Sequence, residues 1–334
     1  MDYAMQLYNE FLENPRTEVS YHFSPRMQVS TTERGTKKLR EAFEHNIGES
    51  IEDGSATGTA RSPVQYISSN ELAGSFLIPQ LEEEQINGAT YSANLGHLWP
   101  AAQVAYEFVE RARENGVQFK TGREITDIIT RRRHVSEIIV NGEERETSDV
   151  VCATGPWNKT LLQMVGLDLP IKHSLGPVLV LRPQTKSPHS MFSVKHKETG
   201  YYMRQNPDGT VFLGNNPGDY ESVGTEYDPD DITDTVPEEL RNEGIEVAER
   251  LFPYLKDANI IDEWVGVRSL TPNTDPIIGW TSIQGLSVVS YNASGIQLSP
   301  TAGKIIAEQI LNNNPTEYYD SVSISRSKNY DDHW

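Results

Sequence analysis

The feature that most constrains the fold lies near the C-terminal end. An apolar run, Leu286–Tyr291, passes through a short loop to Gly295 and on to a helical pattern starting at Ser299. Ser299 is a good N-cap type, Pro300 suits the first helical position, and Ile305, Ile306 and Ile310 recur on one face. A glycine just before a helix N-terminus lets a ligand approach free backbone N–H groups, whose dipole favours an anion. The same turn can also serve only to connect a strand to a helix.

A second stretch has the same βα texture. Pro100 opens a helix with Val104, Ala105, Phe108, Val109 and Ala112 on its apolar face, and Gly116 stops it. Val117–Phe119 reads as a short strand, and Ile125–Ile129 with Val135–Val140 as a hairpin around Arg131-Arg132-Arg133. That basic triplet fits a solvated turn better than a phosphate site. Val150–Ala153 is a buried strand running into a tight turn at Thr154-Gly155. Residues 1–13 have helical spacing, and residues 20–95 are mixed, with a Gly/Ser/Thr-rich loop at Gly54–Ser62. From 173 to 265 the texture changes to short strands (Val178–Leu181, Tyr201–Arg204, Val211–Leu213) with turn signals between them, then a helix at Pro237–Leu251 containing Gly244. Asn314–Trp334 reads as a polar tail.

Composition narrows the function. The 334 residues allow about two domains at roughly 150 residues each. No stretch approaches the ~18 apolar residues of a membrane span, and Met1-Asp2-Tyr3 opens no signal peptide. A single cysteine, Cys152, excludes an internal disulfide framework or a Cys-cluster metal site, and a reducing, cytoplasmic setting is expected. The net charge of −19 disfavours nucleic acid. Only 11 of the 29 basic residues are lysine, a halophile-like acidic pattern that an ordinary acidic protein can also show.

Three spots could carry chemistry. One is the loop before Gly295. Another is Arg268, whose fork would suit a carboxylate if it lay in a pocket rather than in a surface ion pair. The third is Ala153-Thr154-Gly155-Pro156-Trp157, where the glycine permits close contact with a cofactor or simply makes a turn. There is no His-Glu-x-x-His, P-loop or Gly-x-Ser-x-Gly, and no histidine pair has ligand spacing. Asn158-Lys159-Thr160 and Asn292-Ala293-Ser294 match the glycosylation pattern, but a chain in the expected cytoplasmic setting would not use it.

Five ordered blocks carry a resemblance. They are Gly116–Phe119 with Gly122–Ile128, then Val150–Trp157, Gly166–Pro170 with Gly176, Tyr202-Met203-Arg204 with Gly266-Val267-Arg268 and Thr271–Gly279, and Gly295–Pro300. Over about residues 70–312 the chain resembles the FAD-dependent oxidoreductases of the D-amino-acid oxidase superfamily, such as glycine oxidase, the sarcosine oxidases and dimethylglycine dehydrogenase. The resemblance implies a mixed α/β fold. A Rossmann-like FAD domain (1–20, 96–172 and 266–315) is interleaved with an antiparallel-sheet substrate domain (21–95 and 173–265), and 316–334 forms a tail. It implies that Ile125 touches the adenine side of FAD, that Ala153, Thr154, Gly155 and Trp157 line the cofactor, and that Gly295, Ile296 and Gln297 face the flavin pyrimidine edge. Arg268 would hold a substrate carboxylate and Tyr202 would face the substrate. The implied reaction removes hydride from the carbon beside an amine, giving an imine that water hydrolyses, and no general base is assigned.

The chain departs from that pattern in two ways. Its 24 glycines contain no Gly-x-Gly pair, so the dinucleotide fingerprint that cradles the pyrophosphate is missing, and the first strand and its turn are expected to be absent from the N-terminal end. The expectation is therefore an amine or amino-acid oxidoreductase in shortened form that retains FAD poorly by itself. A separate chain could supply the missing segment, and the rival reading is a non-catalytic remnant or subunit. Gln297 stands where sarcosine oxidases carry an oxygen-activating lysine, which favours a dehydrogenase.

Overall fold

The computed structural model describes residues 2–52, 64–72, 85–93, 95–185, 192–215, 220, 227–272, 275–291, 295–312 and 319–323. The first part of the chain forms α1 (Asp2–Leu12), β1 (Ser20–Phe23), β2 (Arg26–Ser30), α2 (Glu33–Glu52), β3 (Val64–Ser68), α3 (Ser69–Leu72), β4 (Gly88–Ser92), β5 (Gly96–Trp99) and α4 (Ala101–Glu114). The middle forms β6 (Ile125–Arg131), β7 (His134–Val140), β8 (Glu143–Glu146), β9 (Val150–Cys152), α5 (Asn158–Gln163), β10 (Lys172–Arg182), β11 (Ser193–His196), β12 (Tyr201–Gln205) and β13 (Val211–Asn215). The last part forms α6 (Glu238–Leu251), β14 (Asn259–Leu270), β15 (Ile277–Trp280), β16 (Leu286–Ser290), α7 (Gly295–Asn312) and α8 (Tyr319–Val322).

The fold is mixed α/β, and its largest element is an eight-stranded sheet of order β14-β10-β13-β12-β11-β2-β4-β3. Strict alternation gives this sheet two unlike faces. Met27, Val29, Leu179, Leu181, Val194, Tyr201, Met203, Val211 and Leu213 point to one face, where they pack with Val247, Ala248 and Leu251 of α6. Gly244 lets α6 come close: a Cβ there would lie 2.8 Å from Cε1 of Tyr201. Tyr201 cannot swing aside easily, because its hydroxyl donates to the Leu240 carbonyl at 2.7 Å.

The rest is built from smaller pieces. β9 runs parallel to β16, which pairs antiparallel with β15. This sheet shares a core with α5 and the β6–β7 hairpin, through Ile128, Val135, Cys152, Leu162, Leu286 and Val288. α1 packs on α4 through Tyr8, Phe11 and Val104. β1 and β5 form a two-stranded antiparallel ribbon, Ser20 opposite Trp99 and Phe23 opposite Gly96. No described helix is long and apolar enough to cross a membrane.

Three sequence expectations need correction. Val117–Phe119 is not a strand, and Val117 is 50% and Phe119 42% exposed. An extended segment becomes a strand only against a partner ladder, and none lies beside it among the described residues. The last long helix begins at Gly295, not at Ser299, so Ser299 is no N-cap and Pro300 lies inside the helix. Part of the supposed polar tail is structured: the Tyr319 ring of α8 packs at a tilt against Trp280, ring centroids 6.0 Å apart, and joins the cluster around Ile305. The loop at Gly54–Ser62 lies outside the described residues.

Gly244 yields a test with an unusual sign. Glycine to alanine inside a helix ordinarily gains about 1 kcal/mol. Here the new methyl meets the pinned Tyr201 ring, so Gly244→Ala is expected to lose about 1–3 kcal/mol in urea denaturation. A stabilised variant would show that the ring yields.

Candidate active site

The second face of the eight-stranded sheet is polar and cationic. Register fixes which side chains share it. Tyr202 lies opposite Lys195 on one side and Gly214 on the other. Lys195 in turn lies beside Gln28, while Gly214 lies opposite Val178 and Val178 opposite Trp264. The neighbouring row holds Arg26, Ser193, Arg204 and Phe212. The row order for Arg204 follows from Val194 pairing with Met203, which sets Ser193 between Arg26 and Arg204. Arg268 joins the same face from β14, opposite Ser174.

Two glycines clear the floor between Arg268 and Tyr202. A Cβ on Gly214 would lie 2.7 Å from the Tyr202 hydroxyl, so the phenol lies across β13. A Cβ on Gly176 would lie 3.1 Å from Cγ and Cδ of Arg268, so that side chain lies across β10. β10 and β13 are neighbours. The two side chains therefore reach towards each other from opposite sides of one bare strip of sheet.

The electrostatics of this face are one-sided. Arg26 is exposed, while Lys195, Arg204 and Arg268 are half-buried. None of the four makes an ion pair or a side-chain hydrogen bond with another described residue, and Arg204 Nε and Arg268 Nη1 are buried without a partner. Arg204 instead lies over the Phe212 ring, 4.9 Å from its centroid. Burial raises the Tyr202 phenol, and Arg204, Arg268 and Arg26 pull it back down. Burial, then Arg26, Lys197 and Arg268, push Lys195 down to about 8. Burial, then Arg204 and His22, push His97 down to about 4, so it is neutral at pH 7. His97 stacks on His22 in the β1–β5 ribbon, centroids 5.8 Å apart.

β9 and β16 end side by side, where open α/β sheets form their ligand crevice. They run parallel and point their carboxyl ends the same way. Asn158, fully buried, ties the two ends together. Its Oδ1 accepts the Thr154 N–H and hydroxyl at 3.0 Å each, and its Nδ2 donates to the Val289 carbonyl at 2.7 Å. With both ends of its amide engaged, Asn158 serves as a staple and not as an exposed glycosylation acceptor. Cys152, at the end of β9, is buried and its thiol is pushed up to about 11 by that burial.

The first turn of α7 has its own support. Pro300 has no N–H, so the Ile296 carbonyl loses its helical donor. Tyr8 of α1 donates its hydroxyl to that carbonyl, and Ser299 donates to it at 2.9 Å. A residue near the start of the chain thus completes a helix near its end.

The structure brings the expected residues into two groups. Arg268 and Tyr202 share the cationic face. Ala153, Thr154, Gly155 and Trp157 follow β9, and Gly295, Ile296 and Gln297 open α7 after β16. Gly155 has φ +60°, and nothing lies within 4 Å of where its Cβ would stand. Ala153 and Thr154 are exposed, Trp157 is 41% exposed and donates Nε1–H to Asp230 at 2.7 Å, and Ile296 is 58% exposed. Ile125 sits apart, on β6 beside the core of the smaller sheets. Exposed backbone after β9 and the N-terminus of α7 after β16 fit one edge of a flat, partly anionic cofactor. Sequence reading missed Arg26, Lys195, Arg204, His97, Asn158 and Tyr8 as parts of these groups. Only Arg204 left a signal, two residues from Tyr202 on the same strand face.

Residues 1–309 match the family described as DAO, FAD dependent oxidoreductase. The chain belongs to that family. Among its relatives, the D-amino acid dehydrogenase of Vibrio atlanticus (strain LGP32) is 26% identical over 225 residues, 67% of this chain and 51% of the relative. The hydrogen cyanide synthase subunit HcnC of Pseudomonas protegens is 27% identical over 210 residues, 61% of this chain and 46% of the relative. The chain spans about half the length of these relatives. In fold it is similar to an L-proline dehydrogenase from P. horikoshii (TM-score 0.77, 19% identity, 98% of this chain and 82% of that one). It is equally similar to a glycine oxidase from Geobacillus kaustophilus (TM-score 0.77, 21% identity, 97% and 81%).

Two expectations follow. Asn158→Ala strands the Val289 carbonyl and frees the turn at Thr154, so it should cost about 1–3 kcal/mol in chemical denaturation. Lys195 is about 8 in the folded state against an ordinary 10.5 when unfolded. Between those values the unfolded chain binds the extra proton, so Lys195 makes stability rise with pH. The stability advantage of Lys195→Met over wild type should be largest below pH 8 and shrink as pH climbs through that window. A constant difference in urea melts at pH 7 and pH 10 would contradict it.

Proposed function

We propose that this chain carries the substrate face and the flavin-edge crevice of an FAD-dependent oxidoreductase acting on the C–N bond of an amino acid or N-methylated amine. The observation that carries this reading is the convergence of Arg268 and Tyr202 over the strip cleared by Gly176 and Gly214. In this reading residues 1–20, 96–172 and 266–315 form the cofactor unit, and 21–95 with 173–265 form the substrate unit.

FAD, when bound, supplies the hydride acceptor. The chain's own residues do the rest. Arg268 forks a substrate carboxylate, using the Nη1 that lacks a partner. Tyr202 is held protonated by burial, so it can donate to the same carboxylate or flank the amine. An ammonium group cannot release hydride from its neighbouring carbon easily, whereas a neutral amine can. The positive potential of Arg26, Arg204 and Arg268 favours loss of the ammonium proton to solvent water, so the face can select the reactive amine without a dedicated base. The imine then leaves for hydrolysis in water. Ala153, Thr154, Gly155 and Trp157 would line the cofactor, with Gly295, Ile296 and Gln297 at its pyrimidine edge and Ile125 towards the adenine. The sequence contains no Gly-x-Gly, so a glycine-rich pyrophosphate cradle is not among these contacts, and weak flavin retention by these residues alone is expected.

The test is a spectrum of the purified protein with FAD added, followed by anaerobic addition of amino acids and N-methylated amines. Bleaching of the flavin band supports the reading. Arg268→Ala should then raise the Michaelis constant for carboxylate-bearing amines by ~30-fold or more, as expected for breaking a charge-assisted pair worth about 2–5 kcal/mol. FAD that binds and is bleached by no amine would sink the proposal.

A further inference from the structure

One arginine suffices for one carboxylate, yet this face carries more. Arg26 and Arg204 flank Ser193 in one row, and Lys195 stands beside Tyr202 in the next. Two described acids lie at this face and neither pairs with these cations: Asp262, at the far edge on β14, accepts the Glu263 N–H at 2.9 Å, and Glu198 accepts the hydroxyls of Ser30 at 2.6 Å and Thr32 at 2.9 Å. Arg204 Nε is buried and unsatisfied, as Arg268 Nη1 is on the other side of Tyr202. Grouping cations without counter-ions opposes folding, and in a chain of net charge −19 carboxylates that could pair with them are abundant elsewhere. Such a cluster makes physical sense when a ligand brings the negative charge.

We propose that Arg26, Arg204 and Lys195 hold a second anionic group of the substrate, so that the preferred amines are dicarboxylates. This rests on the reading of Arg268 as the holder of the first carboxylate. Tyr202 then lies between the two anionic ends, and the reacting carbon sits above the bare strip. Ser193, the small residue between Arg26 and Arg204, leaves room for both forks to reach one group. Cations on both sides of Tyr202 favour a substrate with two negative charges, such as an acidic amino acid or an N-carboxyalkyl amino acid, over alanine or sarcosine. The same cations could instead meet the phosphates of the cofactor, and the experiment separates these sources.

Calorimetric titration of the protein with succinate and with propionate reads the ligand class without needing turnover. Succinate should bind at least ~10-fold more tightly than propionate. Arg204→Met and Arg26→Met should remove most of that preference, Arg204→Lys should keep part of it, and Arg268→Met should weaken both acids. With the flavin-loaded protein, the two Met variants should lower kcat/KM for aspartate far more than for alanine. Equal binding of succinate and propionate by the wild type overturns the inference. So does a loss of FAD affinity in the Arg26 and Arg204 variants with the succinate preference intact, which would assign the cluster to the cofactor. If succinate is preferred but no amine bleaches the flavin, the proposed reaction fails while the dicarboxylate site stands.

Discussion

The period-two alternation of the eight-stranded sheet holds the structure together and also supplies its chemistry. The central strands β2, β11, β12, β13 and β10 send one set of side chains into the core and the other to the opposite face. Met203 and Leu213 bury against α6, and their immediate neighbours Tyr202, Arg204 and Phe212 are thereby forced to the opposite face. The cationic surface is thus a consequence of the core. A one-residue slip in β12 would bury a guanidinium and expose a methionine, so the same free energy that fixes the register fixes the site.

Glycine enters this sheet where bulk would interfere. Gly176 and Gly214 weaken their strands, since a glycine in a sheet adds backbone entropy and no packing. What they gain is the low floor on which Arg268 and Tyr202 lie. Gly244 plays the matching part on the core side, bringing α6 close to Tyr201. On the crevice side the corresponding work is done by hydrogen bonds: Asn158 between β9 and β16, and Tyr8 at the carbonyl that Pro300 leaves open.

Much of this was legible in the sequence where a signal is local. The hairpin at β6–β7, the strand before Gly155, the helix after Pro100 and the strand leading to α7 all follow from apolar spacing and turn residues. Tyr202 and Arg204 share a face by counting alone. Arg26 and Lys195 could not be placed, because they meet Tyr202 only through a parallel pairing of β2 with β11 between segments distant in sequence. Ser299 was misread for a related reason. Pro300 suits a first helical turn, and nothing nearby tells that Tyr8 would satisfy the carbonyl that lets the helix start at Gly295. Val117–Phe119 has strand composition without a ladder to join.

Cys152 has a use that its burial creates. It is the one cysteine of the chain, closed into the core at the end of β9, and its thiol is pushed up to about 11. At neutral pH almost no thiolate is present and no reagent can reach it, so the native protein is silent to alkylation. Labelling therefore requires β9 to come away from its neighbours, the same strand end that Asn158 ties to β16. The alkylation rate of this thiol is a clock for the opening of the crevice, read at a single atom and without any added probe group.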